Sequence, residues 1–292
     1  MPHSKYVESL TRDGFVLIPS ILTPAQISEL RIASSDVISL ARSGKWPHVR
    51  TLPKQFPPWT IPAGVSPAAD GIWGVQFLMH PSLSHSQTFI KNYFSDAIVH
   101  IVKDLLACED DDLVMELFNL LIRPDRDFEL RWHRDDIPAS ATAQEEIERL
   151  MEPAWHAQWN LALWDDESLI VVPGSQSRER TDLERKGEPY GILSGEVKVK
   201  MKAGDVVFYN NNILHRGVYS CEKERMTLHG SMGHVKGNAL RARNVLQHGV
   251  SDWVGDLNFA SMGDGVMRAE GMRGRLVEMA KGSGKVGYSL DG

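Results

Sequence analysis

The sequence predicts a single β-sandwich or barrel braced by helices. Three observations carry that reading. Seven segments with extended patterning crowd between residues 115 and 235, helical periodicity precedes them and returns after residue 236, and turn formers such as PDRD, PGS, KAGD and YNNN separate the segments. Taken in order, GFVLIPSIL (14–22) reads as a short buried strand. In the helix that follows, Thr23 is the N-cap, Pro24 the first helical residue and Gly44 the end. Residues 46–74, rich in Pro and Gly, read as an irregular excursion of the length that lids and binding segments have. Residues 85–107 have a helical apolar period, with Phe89, Tyr93, Ile98 and Ile101 inward. Strands are then expected over 115–124, 128–133, 157–164, 168–174, 196–201, 204–210 and 225–235, interrupted by a helix at 141–151. The expected layout is one domain over 1–292. A mainly helical N-terminal support (1–110, with the lid 46–74) leads into a β core (115–235), then a helical segment and loose tail (236–292).

Composition narrows the function. Hydrophobic residues at 42% and charged residues at 24% suit a soluble chain with a sizeable core. The net charge of −6 is spread along the chain, so neither a nucleic-acid partner nor a membrane surface is expected. No apolar run approaches the roughly 20 residues of a spanning helix. The start, MPHSKYVESLTRDGF, lacks a secretory layout, and Cys108 and Cys221 form no CxxC. A cytoplasmic protein, monomer or homodimer, is the expectation.

The chemistry gathers around LRWHRDD. In an extended segment His133 and Asp135 share one face while Arg134 and Asp136 share the other, so an imidazole and a carboxylate meet one cation. A H-x-D pair alone is a common coincidence and needs a third ligand. His215 in NNNILHRGV is the best placed, although His156, His229 and His234 are also available. Two histidines and a carboxylate make the facial triad that holds Fe(II) with positions left open. Ten residues after His215 stands Arg225. A strand-turn-strand through VYSCEKE would place Arg225 and Thr227 on one inward face, where a guanidinium fork with a hydroxyl beside it clamps the far carboxylate of a keto acid. The run CEKER would equally suit a surface arginine. In AQWNLALW, Gln158 and Asn160 share a face opposite Trp159, Leu161 and Leu163, and a buried polar pair needs partners that a cosubstrate pocket supplies. Arg50, Lys54, Arg131 and Arg134 read as ordinary surface charges, and Asp136 as solvated. Trp46, Phe56, Trp59 and Trp73 either line an apolar cavity or pack the excursion down.

The ordered set DGFVLIPSILTPAQISELR, LRWHRDD, LALWDDESLIVVPGSQ, AGDVVFYNNNILHRG and RMT resembles the phytanoyl-CoA dioxygenase-like family of iron and 2-oxoglutarate-dependent oxygenases over roughly residues 10–235. The resemblance implies a double-stranded β-helix, Fe(II) on His133, Asp135 and His215, and 2-oxoglutarate on Arg225 with Thr227 as hydroxyl partner. It also implies a side chain beside the keto acid at Asn119. A small-molecule substrate and dioxygen would complete the reaction, with succinate and carbon dioxide as coproducts. Two departures stand out: DDES replaces the family's Asn-Gly turn, and Gln176 stands where a histidine is common, both expected to shape the turn and cavity rim. Asp135 is present, so hydroxylation, desaturation or cyclisation is expected rather than halogenation. Two other classes remain open, a zinc hydrolase on the same three ligands and a barrel that binds metal and keto acid without turnover.

Overall fold

The computed structural model describes residues 4–52, 71–237, 239–247 and 249–281. The chain opens with a helix that the sequence reading did not anticipate, α1 (Lys5–Asp13), capped by Ser4 and closed by Gly14 in the left-handed region (φ 81°). β1 (Phe15–Ile18) follows, then α2 (Pro24–Arg42), where Thr23 and Gln26 form a reciprocal capping box. The excursion 46–74 contributes β2 (Val49–Thr51) and β3 (Ile72–Val75) at its flanks; its middle, 53–70, with Lys54, Phe56 and Trp59, lies outside the described residues. The helical period over 85–107 is two helices, α3 (Ser86–Tyr93) and α4 (Asp96–Leu106), because Ser95 takes an extended N-cap conformation and restarts the helix.

Next come β4 (Leu113–Ile122), β5 (Phe128–Glu129), α5 (Ala143–Leu150), β6 (His156–Ala162), β7 (Leu169–Val171) and α6 (Asp182–Lys186). They are followed by β8 (Val197–Lys198), β9 (Val206–Tyr209), β10 (His215–Tyr219), β11 (Met226–His234), α7 (Ala239–Gln247) and α8 (Val266–Ala280). A seven-stranded sheet in the order β1-β9-β6-β11-β4-β3-β2 faces a four-stranded sheet in the order β5-β10-β7-β8, and every named pairing is antiparallel. This is a double-stranded β-helix core braced by helices.

One sequence expectation is corrected here. The segment VYSCEKE does not join a hairpin: β10 pairs with β5 and β7 in the small sheet, whereas β11 pairs with β4 and β6 in the large one. The chain crosses between sheets at that point, as closing two sheets around one interior requires.

Alternation on the large sheet separates structure from chemistry. Phe118, Leu120, Trp159, Leu161, Phe208, Leu228 and Met232 point to the helical side and join one apolar core. Gly230 lies opposite Trp159 in the register, and a Cβ there would sit 2.3 Å from the indole, so one of the largest core side chains depends on that glycine. The other face carries Gln158 and Asn160 beside His229 and Ser231 of the neighbouring strand. Among the described residues no helix is long and apolar enough to cross a membrane.

Candidate active site

The polar face of the large sheet lines a cavity of about 760 Å³, closed on its other side by residues of the small sheet and the loop 130–139. That loop is not a regular strand as far as His133. β5 ends at Glu129, and the chain then runs beside β10, with Leu130 N donating to Gly217 O (2.8 Å). His133 and His215 exchange backbone bonds of 3.0 and 3.1 Å, which sets the two imidazoles side by side with ring centroids 4.2 Å apart.

His133, Asp135 and His215 each bring a donor atom within 4.8 Å of the others. Each imidazole Nδ1–H donates to the carbonyl two residues earlier, His133 to Arg131 (2.7 Å) and His215 to Ile213 (2.9 Å). A carbonyl can only accept, so the proton stays on Nδ1 and the lone pair on Nε2. Both Nε2 atoms lie 3.5 Å from Asp135 Oδ1. Ligands about 2.1 Å from one ion stand roughly 3 Å apart in cis positions, so the three converge on a space that a first-row metal fits. The other carboxylate oxygen, Oδ2, accepts from Gln158 Nε2 (2.9 Å). Gln158 therefore orients a carboxylate that could hold the metal, the arrangement that usually sharpens metal affinity. Burial pushes the His133 imidazole down to about 3, keeping it neutral, and at Asp135 desolvation of the inward carboxylate is outweighed by the two histidines and the Gln158 amide, so its carboxyl stays below the usual range.

At another part of the cavity Arg225 is nearly solvent-free, its Nε donating to Asp166 Oδ2 (3.0 Å). Thr227 Oγ1 donates to the same oxygen (2.7 Å), and the guanidinium lies over the Tyr219 ring, 4.2 Å from its centroid. Arg225 Nη1 is buried and has no partner. An unpaired buried guanidinium N–H costs on the order of 1–3 kcal/mol, a cost that a carboxylate placed there removes. Asn160 Oδ1 accepts from His229 Nδ1 (2.9 Å), and both line the cavity; burial pushes His229 down to about 3.

Asn119 is fully buried, its Oδ1 accepting from Phe77 N (3.0 Å), and it is not among the cavity-lining residues. Thr227 reaches the site through Asp166 and likewise does not line the cavity. Gln176 lies away from the cavity rim, donating to Thr11 O (2.9 Å), and Trp46 packs in the apolar core, whereas Trp73 does line the cavity. Arg134 is no surface charge: it is 3% exposed and tied to Glu146. Asp166 was the residue that sequence reasoning missed. It lies in the DDES turn, and the signal that would have found it is that a buried arginine requires a counter-ion.

The model for phytanoyl-CoA dioxygenase (PhyH) matches residues 10–218, most of the chain. The chain belongs to the PhyH family. No curated protein matches it. Among solved structures, the fold is similar to that of EctD from S. alaskensis, with 2-oxoglutarate and 5-hydroxyectoine, at TM-score 0.57 and 14% identity over 81% of this chain and 78% of that one. It is also similar to HygX from Streptomyces hygroscopicus, with nickel and 2-oxoglutarate, at 0.55 and 14% over 80% and 88%. AviO1 from Streptomyces viridochromogenes gives 0.53 and 19% over 78% and 93%. Identities this low show a shared fold.

Proposed function

We propose that this PhyH-family protein is an Fe(II)- and 2-oxoglutarate-dependent dioxygenase. It oxidises a C–H bond of a small metabolite, by hydroxylation or by a related desaturation or cyclisation, with succinate and carbon dioxide as coproducts. The observation that carries this reading is that one cavity holds both a convergent His-Asp-His set and a buried arginine nitrogen without a partner. A zinc hydrolase would use the first and has no use for the second.

His133, Asp135 and His215 would hold the iron, and Arg225 would hold the distal carboxylate of 2-oxoglutarate. Bound together, iron and keto acid supply the oxidising power drawn from dioxygen. The protein's contribution is position. Backbone carbonyls fix both imidazoles, Gln158 fixes Asp135, and Asp166 fixes the Arg225 fork, so little reorganises during the reaction. Trp73, Leu121, Leu130 and Tyr219 form an apolar wall that keeps bulk water from that part of the cavity.

The test is succinate formation from 2-oxoglutarate in air. Fe(II)-loaded wild type is expected to release succinate, more of it when a true substrate is present, and His133→Ala to release none. A wild type that makes no succinate with any candidate metabolite, yet hydrolyses an ester or amide when loaded with Zn(II), would replace this reading with the hydrolase.

A further inference from the structure

We infer that Arg50 is a second carboxylate-binding group of the cavity, distinct from Arg225; the inference rests on the 2-oxoglutarate reading above. Arg50 comes from β2 and lines the same cavity, its guanidinium 5.1 Å from the centroid of the Trp73 ring. Among the described residues no acidic side chain pairs with it, and its Nε is buried without a hydrogen-bond partner. The charge of Arg225 is already compensated by Asp166; that of Arg50 is not. A half-buried cation with a buried, unpaired donor and no counter-ion is costly unless a ligand provides one. The backbone makes room for it: Gly74 is the cross-strand neighbour of Arg50, and a Cβ there would lie 3.2 Å from Arg50 Cδ and 3.3 Å from Leu120 O.

2-oxoglutarate would bring two negative charges, and the Arg225–Asp166 pair is neutral, so a cation without an acidic partner in the same cavity has an anion to meet. The carboxylate it takes belongs either to the keto acid or to an acidic substrate, and these sources are separable.

The experiment titrates anaerobic Fe(II)-loaded wild type, Arg50→Met, Arg50→Lys and Gly74→Ala with 2-oxoglutarate, read by the visible charge-transfer band of the chelated keto acid. Thermal melts confirm that each variant is folded. If the keto acid is the source, Arg50→Met raises the 2-oxoglutarate Kd roughly 10- to 100-fold, Arg50→Lys recovers part of the loss, and Gly74→Ala weakens binding in the same direction. If a substrate is the source, those affinities stay equal, but propionate or benzoate perturbs the band of the 2-oxoglutarate complex in wild type and not in Arg50→Met. Equal affinities with no effect of either carboxylate on wild type would overturn the assignment of Arg50 alone. A wild type that binds iron and shows no band would overturn the 2-oxoglutarate reading and this inference with it.

Discussion

Arg134 and Arg225 both line the cavity and are almost equally buried, yet they are spent differently. Every side-chain nitrogen of Arg134 has a protein partner: Nε donates to Glu146 (3.1 Å), Nη1 to the carbonyls of Ser175 (2.8 Å) and Asn212, and Nη2 to that of Arg178 (2.9 Å). Glu146 is itself fully buried and also pairs with Arg180 (2.6 Å) and Arg185 (2.5 Å). This knot ties the loop bearing His133 and Asp135 to α5 and to the turn after β7. Arg225 is held by Asp166 and Tyr219 and keeps Nη1 without a partner. A guanidinium with all its donors used is scaffold; one with a buried donor left over has kept it for a ligand.

That contrast is broken most forcefully at the knot. Arg134→Met takes the donor from the carbonyls of Ser175, Asn212 and Arg178 while Glu146 keeps Arg180 and Arg185, and is expected to destabilise the fold by about 3–5 kcal/mol, while the folded fraction keeps its 2-oxoglutarate affinity. Chemical denaturation beside a binding titration checks both halves. Replacing Arg225 and Asp166 together, as Arg225→Met with Asp166→Asn, is the converse. No charge is stranded, so the melting temperature changes little, but the Kd for 2-oxoglutarate rises on the order of 100-fold with iron still bound. A large loss of stability without loss of affinity would make Arg225 scaffold as well.

Gln158→Ala should act more mildly, cutting metal affinity roughly 10- to 100-fold through a loosened Asp135, as measured by competition with a chelator. A further effect is on pH. Burial pushes His156 down to about 4 and His229 to about 3, from 6.5. The unfolded chain therefore takes up protons that the native state refuses as pH falls below 6.5, and stability drops across that window. Denaturation at a series of pH values should show this slope, and His229→Gln should make it shallower.

The H-x-D pair and the two-residue spacing of Arg225 and Thr227 are local patterns that a sequence displays; that His215, far along the chain, rather than His156, His229 or His234 meets the first pair emerges only when β10 lies beside the loop of His133. The start of α2 was legible for the same local reason, as the capping residue Thr23 shows. Asp166 and Arg50 were not, since their importance arises only when the sheets close, bringing Asp166 against Arg225 across 59 residues of chain and Arg50 to the cavity wall. Arg134 was misjudged because a charged residue two positions from solvent-facing loop residues looks exposed until α5 delivers Glu146. The crossover between β10 and β11 was invisible for a related reason: a short polar link looks the same whether it turns within a sheet or passes between two.

The most direct single measurement is the anaerobic visible spectrum of the Fe(II)-loaded protein as 2-oxoglutarate is added. A weak charge-transfer band should grow to saturation in wild type, be absent in His133→Ala, and demand far more keto acid when Arg225 and Asp166 are both replaced. Iron bound tightly by wild type with no band at any 2-oxoglutarate concentration would contradict the assignment of the cavity.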